Sequence, residues 1–132
     1  MGMDDKATSN YEAAKLLLEK SFFDSSASRA YYAAYLKACH YLDIIGISPP
    51  IDGIGRVRNW KHYDFATKLR YNHDVITSFQ MREWERLYSK RVRADYYPDG
   101  IKEEEARNSV IIALEFLEYF TNKEKSIDET RD

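Results

Sequence analysis

The sequence predicts an all-α fold: an antiparallel up-and-down four-helix bundle with one additional short helix. Three observations carry that expectation. Apolar residues recur at spacings of three and four in four long segments, the period that gathers side chains on one helix face. Proline and glycine break the chain at residues 47–55 (ISPPIDGIG) and again at 96–100 (YYPDG), where a helix has to stop. No stretch keeps the alternation of polar and apolar residues that a half-buried strand requires.

Residues 1–8 are polar and are expected as a flexible N-terminus, ahead of a single helical domain over 9–122. Ser9 or Asn10 can cap a first helix in which Tyr11, Ala14, Leu17 and Leu18 form the apolar stripe. Glu12 near its start and Lys20 near its end suit the helix dipole. Residues 22–25 make a short turn, and Asp24, Ser25 and Ser26 are all competent caps for the next helix, which Gly46 ends.

That second helix organises the chain. Ala27, Tyr31, Ala34, Ala38, Tyr41, Leu42 and Ile45 run down one side, and Tyr32, Tyr35, Leu36 and Cys39 on the other side also call for cover. A helix apolar around most of its circumference belongs at the centre, as the hub on which the others pack.

A third helix is expected from about 58 to 71, where Trp60, Tyr63, Ala66, Thr67 and Leu69 give a weaker period. Asn72 and His73 break it, and Asp74 can cap a fourth helix reaching to about Ala94. This helix carries Ile76, Phe79, Glu83 and Leu87 on one face and Trp84, Tyr88 and Arg91 along its flank. YYPDG turns the chain into a last helix over 102–122, with Ala106, Val110, Ala113, Leu114, Leu117 and Phe120 inward and Glu103, Glu104 and Glu105 matched to its positive end. Residues 123–132 lack an apolar period and are expected as a flexible tail.

Composition excludes several functions. A chain of 132 residues supports one core without staples. With 20 Lys+Arg against 22 Asp+Glu, no overall positive field draws it to nucleic acid, so any such contact is a local patch. The 11 tyrosines suit half-wet surfaces and interfaces. The single cysteine, Cys39, reads as a small buried residue. No apolar run reaches the ~20 residues of a membrane span, and the start lacks the basic-then-apolar order of a signal peptide. The expected location is the cytoplasm, with no membrane association.

Catalytic signatures are missing too. His40 reads as a satisfied helix histidine, neither His62 nor His73 has a second histidine or a carboxylate at zinc-binding spacing, Gly53 and Gly55 are not followed by a P-loop lysine, and no nucleophile elbow occurs. The expectation is no metal and no cofactor. What stands out is basic and aromatic: Ser28, Arg29 and Tyr32 near the start of the second helix, and Lys90, Arg91 and Arg93 followed by Asp95, Tyr96 and Tyr97. Arginines beside tyrosines are the chemistry of phosphate and base contact. The alternative is that Arg29 pairs with Asp95 as a structural ion pair while the tyrosines cap the core.

At these residues the sequence resembles the HEPN domain family (higher eukaryote and prokaryote nucleotide-binding), and within it the small stand-alone prokaryotic branch that was formerly an uncharacterised protein family. The matching parts are Ser26, Arg29, Ala30, Tyr31, Tyr32 and Ala33, then Arg91, Ala94, Asp95 and Tyr96 before a final apolar helix; Lys61 and His62 stand where relatives often carry a Lys-His pair. The resemblance implies a homodimer, often encoded beside a minimal nucleotidyltransferase and acting with it as a toxin–antitoxin or defence-type module. It also implies the chance of metal-independent ribonuclease activity through an Arg and a His four to six residues apart. Here the sequence departs from that signature, because four intervening residues after Arg91 lead to Tyr96 and no histidine follows Arg93. Tyrosine, with an ordinary pKa of about 10, is a poor base at neutral pH. Arg56 and His62 fit the spacing by count but begin in the Pro/Gly connection.

The expectation is therefore a non-catalytic dimer that binds a nucleotide, RNA or a nucleotidyltransferase through Arg29, Tyr32, Arg91, Arg93, Asp95 and Tyr96, with Lys61 and His62 as secondary candidates. A ribonuclease using His62, and a purely architectural dimerisation subunit, are the alternatives.

Overall fold

The computed structural model describes residues 2–47, 49, 62–72 and 75–131, with side chains over 2–47, 49, 65–70 and 75–128. Its helices are α1 (Met3–Glu19), α2 (Phe23–Ile44), α3 (His62–Thr67), which continues as a π-helical turn over Lys68–Asn72, α4 (Ser78–Tyr96) and α5 (Glu103–Arg131). The fold is an all-α helical bundle of four long helices and one short one, and no strand occurs among the described residues.

α2 is the hub, packing on α1, α4 and α5. Its alanines explain how. Ala27, Ala30, Ala33 and Ala34 are fully buried, so neighbouring backbones approach closely while Tyr31, Tyr41 and Leu42 fill the spaces between. α1 runs antiparallel to α2, tied by the buried Ser26 hydroxyl, which donates to the Ala14 carbonyl at 2.7 Å. α2 and α5 run the same way, with Asp24 beside Ile101 at one end and the Tyr41 and Phe120 rings 5.3 Å apart farther along. They form the close diagonal of the bundle, with α1 and α4 laid on either side.

Trp84 anchors α4 in the centre, its ring 5.0 Å from Tyr31, 5.3 Å from Phe65 and 6.1 Å from Phe116. Burying a large apolar side chain of this kind contributes about 1.5–3 kcal/mol. Cys39 packs partly buried against this core, and burial pushes its thiol up to about 12, which keeps it protonated.

Two helix ends close through glycine or its substitute. Gly46, at φ +85°, ends α2 as expected, with the Ile47 N–H returning to the Leu42 carbonyl at 2.8 Å. Ser21 takes the same left-handed conformation, φ +64°, after α1, where the Phe22 N–H reaches the Leu17 carbonyl.

Several local expectations are corrected. α1 starts at Met3 and not at a Ser9 or Asn10 cap, because Ala7 is fully buried and Asp4 reaches a partner on α2. α5 runs through to Arg131, past the expected end near Asn122, with Glu124 paired to α2 and Ile127 against the core. α4 is capped by Thr77, whose side chain and that of Gln80 form a reciprocal capping box, so Ile76 lies before the helix. Phe79, grouped by the periodicity with Ile76, Glu83 and Leu87, is 58% exposed while those three are buried, and Leu114 on α5, expected inward, is turned out while Phe116 and Ile112 are buried. The expected start of the third helix, from about 58, lies outside the described residues.

Candidate functional site

The C-terminal half of α4 lies antiparallel against α2. Tyr88, Arg91 and Asp95 follow one another at helical spacing, which turns them to the same side. Arg91 is the centre of this nook. Its Nη2 donates to the Tyr32 hydroxyl at 2.9 Å, and its Nε lies 3.2 Å from Asp95 Oδ2, one turn farther along α4. The guanidinium sits over aromatic rings on both helices, 5.5 Å from the centroids of Tyr31 and Tyr32 and 6.0 Å from that of Tyr88.

Electrostatics keep that group charged. Partial burial lowers the Arg91 pKa, but the Tyr32 hydroxyl and the Asp95 carboxylate more than offset this, and the net direction is up. Burial also raises the Tyr31 phenol, against the pull of Arg91, so Tyr31 is a neutral ring wall and not a base. The Arg91 side chain is 20% exposed and that of Asp95 33%, which makes the nook half-open to solvent.

Arg29 and Asp95 do not pair. Arg29 Nη1 donates instead to Asn10 Oδ1 on α1 at 3.2 Å, while Asp95 serves Arg91. Arg29 precedes Tyr32 by one helical turn; Arg29 is exposed and Tyr32 partly buried, and they lie on the same side of α2. Tyr96 is 70% exposed at the end of α4 and joins none of these contacts. Lys61 lies outside the described residues; His62 opens α3, and its side chain is outside them as well.

Arg93 belongs to a different structure. Two positions after Arg91 on a helix is a rotation of about 200°, so Arg93 points away from the Tyr31 and Tyr32 rings and toward the turn into α5. Its Nη1 and Nη2 clasp the Glu105 carboxylate at 2.6 and 3.2 Å, and Nη2 also donates to the Gly100 carbonyl at 3.0 Å. Glu105 further accepts the Lys102 N–H at 3.1 Å, closing the start of α5. The hydrogen bond from Arg93 holds the Glu105 carboxyl below the usual range, and burial only partly opposes this. Beside it, the Ile101 N–H donates to Asp24 Oδ1 at 2.6 Å. Gly100 has φ +70°, and a Cβ there would lie 3.2 Å from the same Asp24 oxygen.

Two further features accompany the nook. Between α4 and α5 runs a groove of about 500 Å³ in which Glu83 pairs with Arg86 along α4 at 2.6 Å and Lys90 reaches Glu105 across to α5 at 3.8 Å. At the far end of α2, Asp4, His40 and Glu124 bring ligand atoms within 4.8 Å of one another. The buried Lys37 ammonium stands among them, 2.6 Å from Asp4 and 3.2 Å from Glu124, so the chain itself supplies the positive charge that the two carboxylates need.

Residues 5–125 match the family model of the HEPN domain. The chain belongs to the HEPN domain family. No curated protein matches it. Membership supports a nucleotide- or RNA-related function in general terms, and HEPN domains often dimerise. No helix among the described residues is long and apolar enough to cross a membrane.

In this HEPN domain the motif residues named from the sequence divide. Tyr32, Arg91 and Asp95 meet; Arg29 lies on the same side of α2 as Tyr32; Arg93 locks the turn into α5; Tyr96 stands in solvent. Sequence reasoning missed Tyr88 and Tyr31 as walls of the nook. Tyr88, three residues before Arg91, carried a spacing signal; Asn10 as the partner of Arg29 carried none.

Proposed function

We propose that this HEPN domain is a non-catalytic, nucleotide- or RNA-associated homodimer that acts in the cytoplasm with a minimal nucleotidyltransferase, in a toxin–antitoxin or defence-type module. The observation that carries the reading is an arginine held in place with a fifth of its side chain exposed: Arg91 is oriented by the Tyr32 hydroxyl and three aromatic rings, with its charge facing partly to solvent. A guanidinium so placed suits a phosphate group, and Arg29 and Tyr32 extend the same face along α2. Arg93, already engaged by Glu105, serves this face by fixing the end of α4.

The absence of catalysis rests on the sequence. The position where an Arg-x4-His pair would place its base is Tyr96, and the described His40 side chain stands with Asp4 and Glu124. Without a base at hydrogen-bond reach of a ribose hydroxyl, an arginine binds phosphate but does not cleave it.

Titration with ATP and with a labelled single-stranded RNA tests the reading. Arg91→Ala should weaken binding at least about tenfold with the fold intact; the loss of one charge-assisted contact corresponds to roughly 1.5–3 kcal/mol. An unchanged isotherm would count against it. Light scattering should give twice the chain mass. Incubation of the protein with RNA in a chelator should leave the RNA whole, and cleavage that disappears in His62→Ala would replace this proposal with the ribonuclease reading.

A further inference from the structure

The Arg91–Asp95 contact is an odd one for a binding arginine. A carboxylate one turn away along the same helix lies against the guanidinium's Nε edge, the edge from which an oxyanion would receive two parallel hydrogen bonds. Nη2 is held by Tyr32, and the ring faces are occupied by Tyr31, Tyr32 and Tyr88. Asp95 is the acidic group against Arg91 among the described residues, and it lies in the last turn of α4 with its side chain one-third exposed.

We propose that Asp95 is a built-in counter-ion that occupies Arg91 in the unliganded protein and is displaced by the phosphate oxyanion of an incoming nucleotide or RNA. The inference rests on the binding reading given above and adds how that site is regulated. Carboxylate and phosphate oxygens are both acceptors for the same guanidinium edge, so the two compete for one position. An ion pair this exposed is weak, so phosphate can displace it. The Arg93–Glu105 clasp on the other side of α4, bidentate and tied to the Gly100 carbonyl and the Lys102 N–H, is not displaced in this way.

While Asp95 is in place it cancels the Arg91 charge, and an approaching anion meets a nearly neutral nook. Asp95 lies 3.2 Å from Nε as a charge contact without a hydrogen bond to it, so when the carboxylate swings to solvent the Nε edge, which has no hydrogen-bond partner, is uncovered and the positive charge faces the ligand. Tyr32 and the rings keep the guanidinium aligned throughout, so the exchange moves only the short Asp95 side chain.

The test uses the full chain and four forms: wild type, Asp95→Asn, Arg91→Ala and the double variant, with circular dichroism as the check on folding. Each is titrated with ATP and, separately, with a fluorescein-labelled ten-nucleotide single-stranded RNA at low salt. Asp95→Asn should tighten binding about tenfold, equivalent to about 1.4 kcal/mol. The gain should vanish in the Arg91→Ala background. Tightening for one probe and not the other identifies whether free nucleotide or RNA is the source of the phosphate. If Arg91→Ala weakens binding but Asp95→Asn leaves it unchanged or weaker, the counter-ion role is overturned and the binding site stands. Equal tightening in the Arg91→Ala background would mean a bulk charge effect and would also overturn it. If neither wild type nor Asp95→Asn binds either probe, the binding reading itself fails.

Discussion

Arg91 and Arg93 stand two positions apart on α4, and the helix sends them to opposite fates. Arg93 spends its donors inside the chain, on both oxygens of Glu105 and on the Gly100 carbonyl, where it fixes the turn that joins α4 to α5. Arg91 meets one hydroxyl, one exposed carboxylate and a set of ring faces, and keeps a fifth of its side chain in solvent. The difference teaches what a basic run in a sequence means. Charge density says that a helix end is positive; the 3.6-residue turn decides which charge holds the fold and which is left to meet a ligand.

The comparison can be broken most severely by removing what both sides stand on. Trp84→Ala empties the ring cluster formed with Tyr31, Phe65 and Phe116 and should cost about 3–5 kcal/mol in denaturant unfolding, taking both regions down together. Gly100→Ala sharpens it. A side chain at φ +70° that also pushes on Asp24 should destabilise by about 1–2 kcal/mol while leaving phosphate binding at Arg91 unchanged, as read by melting and titration in parallel.

Acid gives a smaller and more selective effect. The Glu105 carboxyl is held below its ordinary range by Arg93, so its contribution to stability is complete at neutral pH and disappears as pH falls through the depressed value. Melting temperature measured across the acid range should therefore fall less steeply in Glu105→Gln than in wild type. The smallest effect belongs to Tyr96→Ala, which removes a 70% exposed ring and should change stability by less than about 0.5 kcal/mol.

The sequence carried the helical class, the hub role of α2 and the YYPDG turn because each is written in local periodicity or turn chemistry. The helix ends were not legible. MDDKATSN looks like a frayed start, yet Asp4 finds Lys37 thirty-three residues away and Ala7 packs against the bundle; Glu124 extends α5 for the same reason, through the same lysine. Phe79 and Leu114 fit the apolar period but fall on the outer faces, since position within the bundle and not the period alone decides burial. The two motifs together put the start of the second helix and the end of the fourth on one wall, and the contact there is between Tyr32 and Arg91. The Arg29–Asp95 pair considered from the sequence does not form, because Asn10 on α1 lies within reach of Arg29 and nothing in the spacing announces it.

The most direct measurement crosses the two arginines: Arg91→Ala and Arg93→Ala, each carried through RNA and ATP titration and through denaturant unfolding. Arg91→Ala should lose binding and keep its unfolding midpoint, and Arg93→Ala should lower the midpoint while the folded fraction still binds. An Arg91→Ala protein that binds normally but has lost several kcal/mol of stability would make Arg91 a structural residue like its neighbour and contradict the account.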